Sequence, residues 1–177
     1  MREANKQTLA MLSIALEMEK KGKDFYVKAV EKSGNKLTRD MFAKLRDDED
    51  VHVERILGIY GSLEGGGPWT GEWKTLKAGG GSINTMFREL AGEHGRNIKA
   101  DTTDIEALDV GIDFEKRSVE YYQDHLKTAS DQQEREFLEA MMDEEKSHLD
   151  LLADMKYYLT DPDHWFAEQE KPHIDGA

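Results

Sequence analysis

Glutamate and histidine residues recur along the chain at a spacing that could bind metal ions. Each copy of the pattern has one glutamate, a second glutamate 30 positions later and a histidine three positions after that. The copies lie 96 positions apart and consist of Glu19, Glu49 and His52, followed by Glu115, Glu145 and His148. Because a glutamate and a histidine three residues apart on a helix lie on the same face, each copy can direct two carboxylates and one imidazole towards one place.

Two tyrosines obey the same repeat. Tyr26 follows Glu19 by seven positions, and Tyr122 follows Glu115 by seven. Seven residues make two helical turns, so each tyrosine shares a face with its glutamate. We predict that both are catalytic side chains whose hydroxyls donate hydrogen bonds to the ligand carboxylates. The pattern fits a structural role equally well, in which each ring packs in the core and its hydroxyl bonds to any nearby group.

A single glutamate with a histidine three residues later is weak evidence for a metal site, because glutamate-rich surface helices often contain that pair. Here the pair occurs twice at one displacement, and each copy interrupts a stripe of apolar residues. This coincidence favours metal ligands over a solvated surface. Asp48 and Glu144, four residues before the two histidines, could orient the imidazoles, although a purely structural role suits their pattern better.

Charge balance indicates how many ions such a site would hold. Four ionised carboxylates in a helical core are costly without compensation, and two divalent cations balance them while both histidines bind as neutral imidazoles. The chain contains no cysteine, so the ligands must be oxygen and nitrogen atoms. Such ligands suit iron or manganese, with zinc possible. Two iron ions make the best chemical sense, and the expected reaction is reduction of peroxide or oxygen with oxidation of ferrous iron.

The elements that must position these residues are helices. Apolar residues recur with helical spacing in four segments, without sustained strand-type alternation, so we predict an all-α protein. The predicted helices cover residues 7–32, 36–60, 103–129 and 131–159. Ser130 is the expected cap of the last one. Short links join the helices into the pairs 7–60 and 103–159, and the connection 61–102, with a short helix expected at 83–93, crosses between them. The prediction is an antiparallel four-helix bundle with one long crossover between helices 2 and 3.

Length and composition limit the other possibilities. The chain of 177 residues is expected to form one domain over residues 1–160. Trp165 and Phe166 make the tail, 161–177, too apolar for a free end, so it should pack on the bundle or on a partner subunit. The formal net charge of -13 argues against nucleic-acid and membrane partners. Met1–Lys6 shows no targeting signal, and no apolar run could span a bilayer, so we expect a cytoplasmic protein.

The repeated motifs resemble those of the ferritin-like diiron carboxylate superfamily, and most closely its rubrerythrin-type members. The residues that carry the resemblance are Glu19 with Tyr26, Glu49 with His52, Glu115 with Tyr122, and Glu145 with His148. The resemblance implies a ferritin-like bundle and a non-haem diiron centre. It also implies that Glu49 and Glu145 bridge the two irons, while Glu19 and Glu115 each bind terminally.

The chain differs from usual rubrerythrins at two places. A four-cysteine rubredoxin module is absent, and Ser118 stands where those proteins carry an additional glutamate. The chain is therefore similar to a short form, with a symmetric set of six ligands like that of bacterioferritin ferroxidase centres. This difference argues against peroxidase activity fed by a built-in electron donor, and we expect an external donor of unknown identity.

Three functions follow from this pattern as hypotheses. The leading one is a diiron oxidoreductase of peroxidase or ferroxidase type. The second is an iron-binding or storage subunit without a catalytic cycle of its own. The third is a helical bundle that holds zinc or manganese structurally, or that holds no metal and keeps its buried carboxylates protonated and hydrogen-bonded. Storage would require a hollow shell of many subunits, which the glycine-rich crossover and the aromatic tail do not suit, so we expect a homodimer.

Overall fold

A computed structural model describes residues 3–79, 81–98 and 101–170. These ranges contain six α-helices, one short 3-10 helix and no β-strand, which confirms the all-α prediction. None of these helices has both the length and the apolar character that a membrane span requires. In chain order the helices are α1 (Glu3–Lys32), α2 (Lys36–Glu64), the 3-10 helix (Glu72–Thr75), α3 (Gly81–His94), α4 (Thr102–Leu126), α5 (Gln132–Thr160) and α6 (Pro162–Gln169).

The four long helices form two hairpins. Helix α1 packs along α2 and α4 packs along α5, and the hairpins meet where α1 contacts α4 and α2 contacts α5. Two helix ends differ from the sequence-based prediction. Helix α2 continues past Gly61 to Glu64, because Leu63 is buried and holds the last turn against the core. Helix α4 ends at Leu126, three residues earlier than predicted.

Side chains of the turn residues define where three of the long helices begin. Asn35 accepts a hydrogen bond from the backbone N–H of Thr38 at the start of α2, and Asp101 caps α4 in the same way. The prediction of Ser130 as the cap of α5 was wrong. Asp131, one residue later, accepts hydrogen bonds from two backbone N–H groups of the first turn. A carboxylate in this position also interacts favourably with the helix dipole.

Buried apolar residues form two separate clusters rather than one continuous core. One cluster includes Tyr26 and Phe42, and the other includes Tyr122 and Phe137. On each of the four long helices, residues of one cluster precede the predicted metal ligands and residues of the other cluster follow them. The predicted ligands therefore lie between two apolar regions, which fix the helices on both sides of them.

The segment between the two hairpins and the start of the tail pack against the long helices. Trp73 of the 3-10 helix meets the ring of Phe137 edge-on, with centroids 5.5 Å apart. The predicted short helix in the crossover is present as α3, whose Phe87 packs against Tyr158 of α5. Trp165 of α6 also contacts Tyr158, and its indole N–H donates to a carboxylate of α5 at 2.6 Å. The remainder of the predicted tail, residues 171–177, lies outside the described residues.

One glycine allows α1 to approach its neighbours closely. A Cβ atom at Gly22 would lie 2.6 Å from Cε1 of Phe114 and 2.9 Å from Oε2 of Glu49. Both distances are too short for real contacts, so a larger residue would displace either the aromatic ring on α4 or a predicted ligand on α2. The absence of a side chain at this position is a packing requirement.

Replacing Gly22 with alanine should therefore lower the free energy of unfolding by about 1–3 kcal/mol, the usual cost of overpacking. The matched control is Gly58→Ala, in an exposed part of α2 where an added Cβ meets nothing within 4 Å. That change should raise stability by about 0.5–1 kcal/mol, because alanine favours a helix more than glycine does. Urea unfolding of the two variants measures both effects, and effects of the same sign and size would contradict the close approach at Gly22.

Candidate metal centre

The structure brings all six predicted metal ligands together in one buried cluster. Each long helix contributes residues from its middle, and every one of the six residues is 0 % exposed. The cluster consists of Glu19 from α1, Glu49 and His52 from α2, Glu115 from α4, and Glu145 and His148 from α5. The helical spacing places each of these residues on the inward face, where the surrounding positions are apolar.

The ligand atoms form two overlapping groups. In each group, one ligand atom from every residue lies within 4.8 Å of the others. The first group is Glu19, Glu49, His52 and Glu145, and the second is Glu49, Glu115, Glu145 and His148. Glu49 and Glu145 belong to both groups, so each group draws on both hairpins. A single hairpin would supply neither group in full.

Interatomic distances in the cluster suit ligands that share an ion. The Nδ1 atom of His52 lies 3.1 Å from Glu19 Oε2 and 3.3 Å from Glu145 Oε1. The Nδ1 atom of His148 lies 3.2 Å from Oε2 of Glu145 and 3.7 Å from Oε1 of Glu115. Two ligand atoms that each lie about 2.1 Å from one ion are roughly 3–3.5 Å apart. The cluster could therefore hold metal ions without a large rearrangement.

Several buried polar atoms in the cluster have no hydrogen-bond partner. They are both carboxylate oxygens of Glu49, both of Glu145, Oε2 of Glu115 and Nδ1 of His148. Buried polar groups are nearly always paired, and leaving one unpaired costs about 1–3 kcal/mol. These atoms belong to the same two ligand groups, so a shared cation would satisfy several of them at once. The donor set thus fits a metal ion better than it fits a hydrogen-bonded core.

In the metal-free protein, bound protons must compensate the negative charges of the cluster. Burial, and then the charge of Glu145, raises the pKa of Glu115 to about 8. Burial, and then the charge of Glu19, raises the pKa of Glu49 well above its usual value. Burial disfavours the charged form of His52, but the neighbouring carboxylates outweigh it and raise the pKa of that imidazole. Protons thus occupy groups that a cation would need in their basic form.

Both tyrosines donate hydrogen bonds to ligand carboxylates, and each does so across the two hairpins. The hydroxyl of Tyr26 donates to Oε1 of Glu115, and the hydroxyl of Tyr122 donates to Oε1 of Glu19. Burial, together with the nearby carboxylates, raises the pKa of both tyrosines well above the usual value. Both therefore keep their protons at neutral pH and act as donors rather than as phenolate ligands. Their catalytic role stays a prediction.

A second pair of carboxylates holds the outer nitrogen of each histidine. Nε2 of His52 lies 2.9 Å from Oε2 of Glu144, and Nε2 of His148 lies 3.1 Å from Oδ2 of Asp48. Each carboxylate thus contacts the histidine of the other hairpin rather than the one four residues along its own helix. A carboxylate at Nε2 fixes the imidazole so that Nδ1 faces the glutamates, which is the usual support for a metal-binding histidine.

Sequence analysis missed two residues that hold these outer carboxylates. Arg55 is only 3 % exposed, and its guanidinium donates to both oxygens of Glu144, at 2.6 and 3.2 Å. Burial raises the pKa of Glu144, but hydrogen bonds from His52 and Arg55 outweigh it and lower the pKa to about 2. The backbone N–H of Gly79 donates to Asp48 Oδ1 at 2.6 Å. The position of Arg55, three residues after His52, was the signal that could have revealed it.

Comparisons with known proteins leave this geometry as the basis for any assignment of function. The chain matches no protein-family model, no curated protein and no solved structure. The kinship suggested by the repeated motifs therefore stays a prediction.

The metal-free protein should lose stability as the pH rises. Groups whose pKa is raised in the folded protein, such as Glu115 and Glu49, stabilise it below their ordinary pKa, and this contribution is lost as the pH rises through the raised value. With the pKa of Glu115 at about 8, we expect the free energy of unfolding to fall by about 2 kcal/mol between pH 6 and pH 8. Urea unfolding in the presence of a chelator measures this dependence.

Two variants on α4 provide the control. Glu115→Gln removes a titrating group and should flatten the pH dependence, whereas Glu120→Gln, at an exposed position on the same helix, should leave it unchanged. A metal-free protein that is more stable at pH 8 than at pH 6 would contradict the proposed charge compensation by protons.

Proposed function

We propose that the chain is a non-haem diiron protein of rubrerythrin or ferritin-like type, which binds two iron ions and reduces peroxide or oxygen while ferrous iron is oxidised. One observation carries the proposal: two ligand groups share Glu49 and Glu145, and each group adds one further glutamate and one histidine. This is the arrangement expected for two neighbouring ions joined by two carboxylates. The same sharing supports Glu49 and Glu145 as bridging ligands and Glu19 and Glu115 as terminal ones.

The chemistry of the donor set supports iron. Four carboxylates offer four negative charges, which two divalent cations balance while the imidazoles stay neutral. Oxygen and nitrogen donors without sulfur suit iron or manganese, and zinc also binds such sites. When bound, two ferrous ions supply the two electrons that convert one peroxide molecule and two protons into two water molecules.

The helix arrangement supports the finer part of the fold proposal. Two hairpins, α1 with α2 and α4 with α5, contact each other and are separated in the chain by residues 65–101. We include in the proposal that these four helices form a ferritin-like antiparallel bundle and that the segment between the hairpins is its single crossover. Four-helix bundles commonly place metal ligands on facing helices in this way.

Protein groups around the ligands have defined tasks in this proposal. Tyr26 holds Oε1 of Glu115, which leaves Oε2 of that carboxylate as the unpartnered atom for an ion. Tyr122 holds Glu19 in the equivalent way, while Oε2 of Glu19 faces His52 at 3.1 Å. Complete burial of the ligands excludes bulk water, which strengthens every electrostatic interaction among them.

The surroundings of the cluster favour a small substrate. All six ligands are fully buried, and a cavity of about 120 Å³ lies beside Asp48, which contacts His148. Gly79, Ser82, Ile83 and Met86 contribute to its walls. A cavity of this size holds a few water-sized molecules and no large organic compound. Peroxide and oxygen meet this limit.

A structural metal is the second candidate, and the unpartnered buried atoms of the cluster favour it. If the ion serves stability alone, any divalent cation of suitable size would pair those atoms and hold the hairpins together. Zinc or manganese would then serve as well as iron. The two candidates differ in one measurable property, which is the response of the bound metal to peroxide.

Protein loaded anaerobically with ferrous iron should contain two irons per chain and should be oxidised rapidly by peroxide or oxygen. Elemental analysis measures the first quantity and stopped-flow absorbance the second. The double variant Glu49→Gln with Glu145→Gln should retain fewer than one iron per chain, because it removes the ligands that both groups share. Repeated turnover with excess ferrous iron would distinguish an oxidoreductase from a storage subunit.

The control for this experiment is Glu120→Gln, at an exposed position on the same helix as Glu115. It should bind and oxidise iron as the unmodified chain does. Two tightly bound zinc ions with loss of stability on chelation, and no reaction of the iron-loaded protein with peroxide, would contradict the redox proposal and establish the structural one.

A homodimer, a cytoplasmic location and an external electron donor stay predictions.

A further inference from the structure

The two ligand groups repeat each other in sequence, but their surroundings do not. Both histidines direct Nδ1 at glutamates and Nε2 at a carboxylate of the opposite hairpin. The difference lies one contact further out. Arg55 donates two hydrogen bonds to Glu144, whereas the backbone N–H of Gly79 donates one to Asp48.

The charges of these two outer carboxylates are therefore compensated differently. Glu144 forms a two-pronged ion pair with a guanidinium that is only 3 % exposed, so solvent screens the pair weakly. Asp48 receives only a neutral donor besides His148, and within the described ranges no lysine or arginine nitrogen lies within 4.0 Å of it. Asp48 therefore has no cationic side chain bonded to it that competes with the imidazole, while Glu144 is shared between His52 and Arg55.

The unequal charge compensation of Glu144 and Asp48 follows from a difference between the two repeats in the sequence. The two halves correspond at a displacement of 96 positions, which relates Asp48 to Glu144 and His52 to His148. The same displacement relates Arg55 to Leu151, which is fully buried and carries no charge. At the position that corresponds to Arg55, the second half thus carries a leucine, which cannot pair with Asp48 as Arg55 pairs with Glu144.

We propose that Arg55 is a positioning residue that makes the two ion positions unequal, so that the position with His148 binds a divalent cation more tightly and fills before the position with His52. The inference rests on the two-ion site proposed above but not on its redox chemistry. A carboxylate at the outer nitrogen strengthens a histidine as a metal ligand, and losing such a partner typically costs 10–100-fold in affinity. Arg55 competes for Glu144 and so weakens the carboxylate support of His52 but not that of His148. The positive charge of Arg55 also lies on the His52 side of the cluster.

Cobalt(II) titration of the metal-free protein by calorimetry tests the proposal. The unmodified chain should bind two ions with dissociation constants that differ by tenfold or more. Repulsion between two bound ions also separates the constants, so the variants decide. Arg55→Leu, which introduces the residue found at position 151, should tighten the weaker constant by about tenfold. Asp48→Asn should weaken the tighter constant by about the same factor, so that both variants bring the two constants together.

A second measurement identifies which position fills first. With one equivalent of cobalt(II), proton NMR should show one strongly shifted exchangeable imidazole N–H, that of His148. Asp48→Asn should move this resonance, since Asp48 accepts the hydrogen bond, whereas Arg55→Leu should leave it in place. A merely structural role for Arg55 would alter stability without this selectivity. The matched control is Arg46→Leu, on the same helix and paired with Asp47, which should change neither constant.

The outcomes are distinct. Two ions whose separation in affinity is unaffected by either variant would overturn the inference and leave the metal site standing. A first ion at the His52 position would also overturn it. Failure of the unmodified chain to bind two cobalt ions would overturn the two-ion site itself. If Arg55→Leu does not fold, the neutral and nearly isosteric Asp48→Asn still decides, because it must weaken the tighter position selectively.

Discussion

The burial of four carboxylates at one place is the constraint on which the rest of this structure depends. Carboxylates in a low-dielectric interior repel one another and lose their hydration, and nearby imidazoles offset only part of that cost. The protein surrounds them with two apolar clusters that fix four helices on both sides, and it leaves several of their oxygens without partners. Such an arrangement is stable when positive charge, as protons or as cations, occupies the space among them.

Hydrogen bonds between the two hairpins connect the buried carboxylates to residues of both halves of the molecule. Tyr26 and Tyr122 each hold a glutamate of the other hairpin, and the outer carboxylates each hold a histidine of the other hairpin. Four of the six predicted ligands, Glu19, His52, Glu115 and His148, are therefore held by the hairpin to which they do not belong. The segment between the hairpins takes part as well, because the backbone N–H of Gly79 donates to Asp48 and the carbonyl of Leu76 accepts hydrogen bonds from Arg55. Removal of any one connection would alter the cluster at a distance.

The sequence predicted the composition of this cluster but not its connections. Glu19 and its repeated counterparts were identifiable because polar residues interrupt an apolar stripe at one fixed displacement, and the helical class followed from the same periodicity. The hydrogen bond between Asp48 and His148 joins the two hairpins, so it depends on how the hairpins pack. The periodicity of apolar residues along one helix does not encode that packing. Arg55 was not predictable from the repeat, because the corresponding position in the second half is Leu151.

The carboxylates and imidazoles are proposed to form a site for two ions. Anomalous diffraction at the iron edge, from crystals loaded anaerobically with ferrous iron, tests it most directly. We expect two peaks per chain, one among Glu19, Glu49, His52 and Glu145 and the other among Glu49, Glu115, Glu145 and His148. A single peak, or iron bound only at the surface with the cluster free of metal, would contradict it.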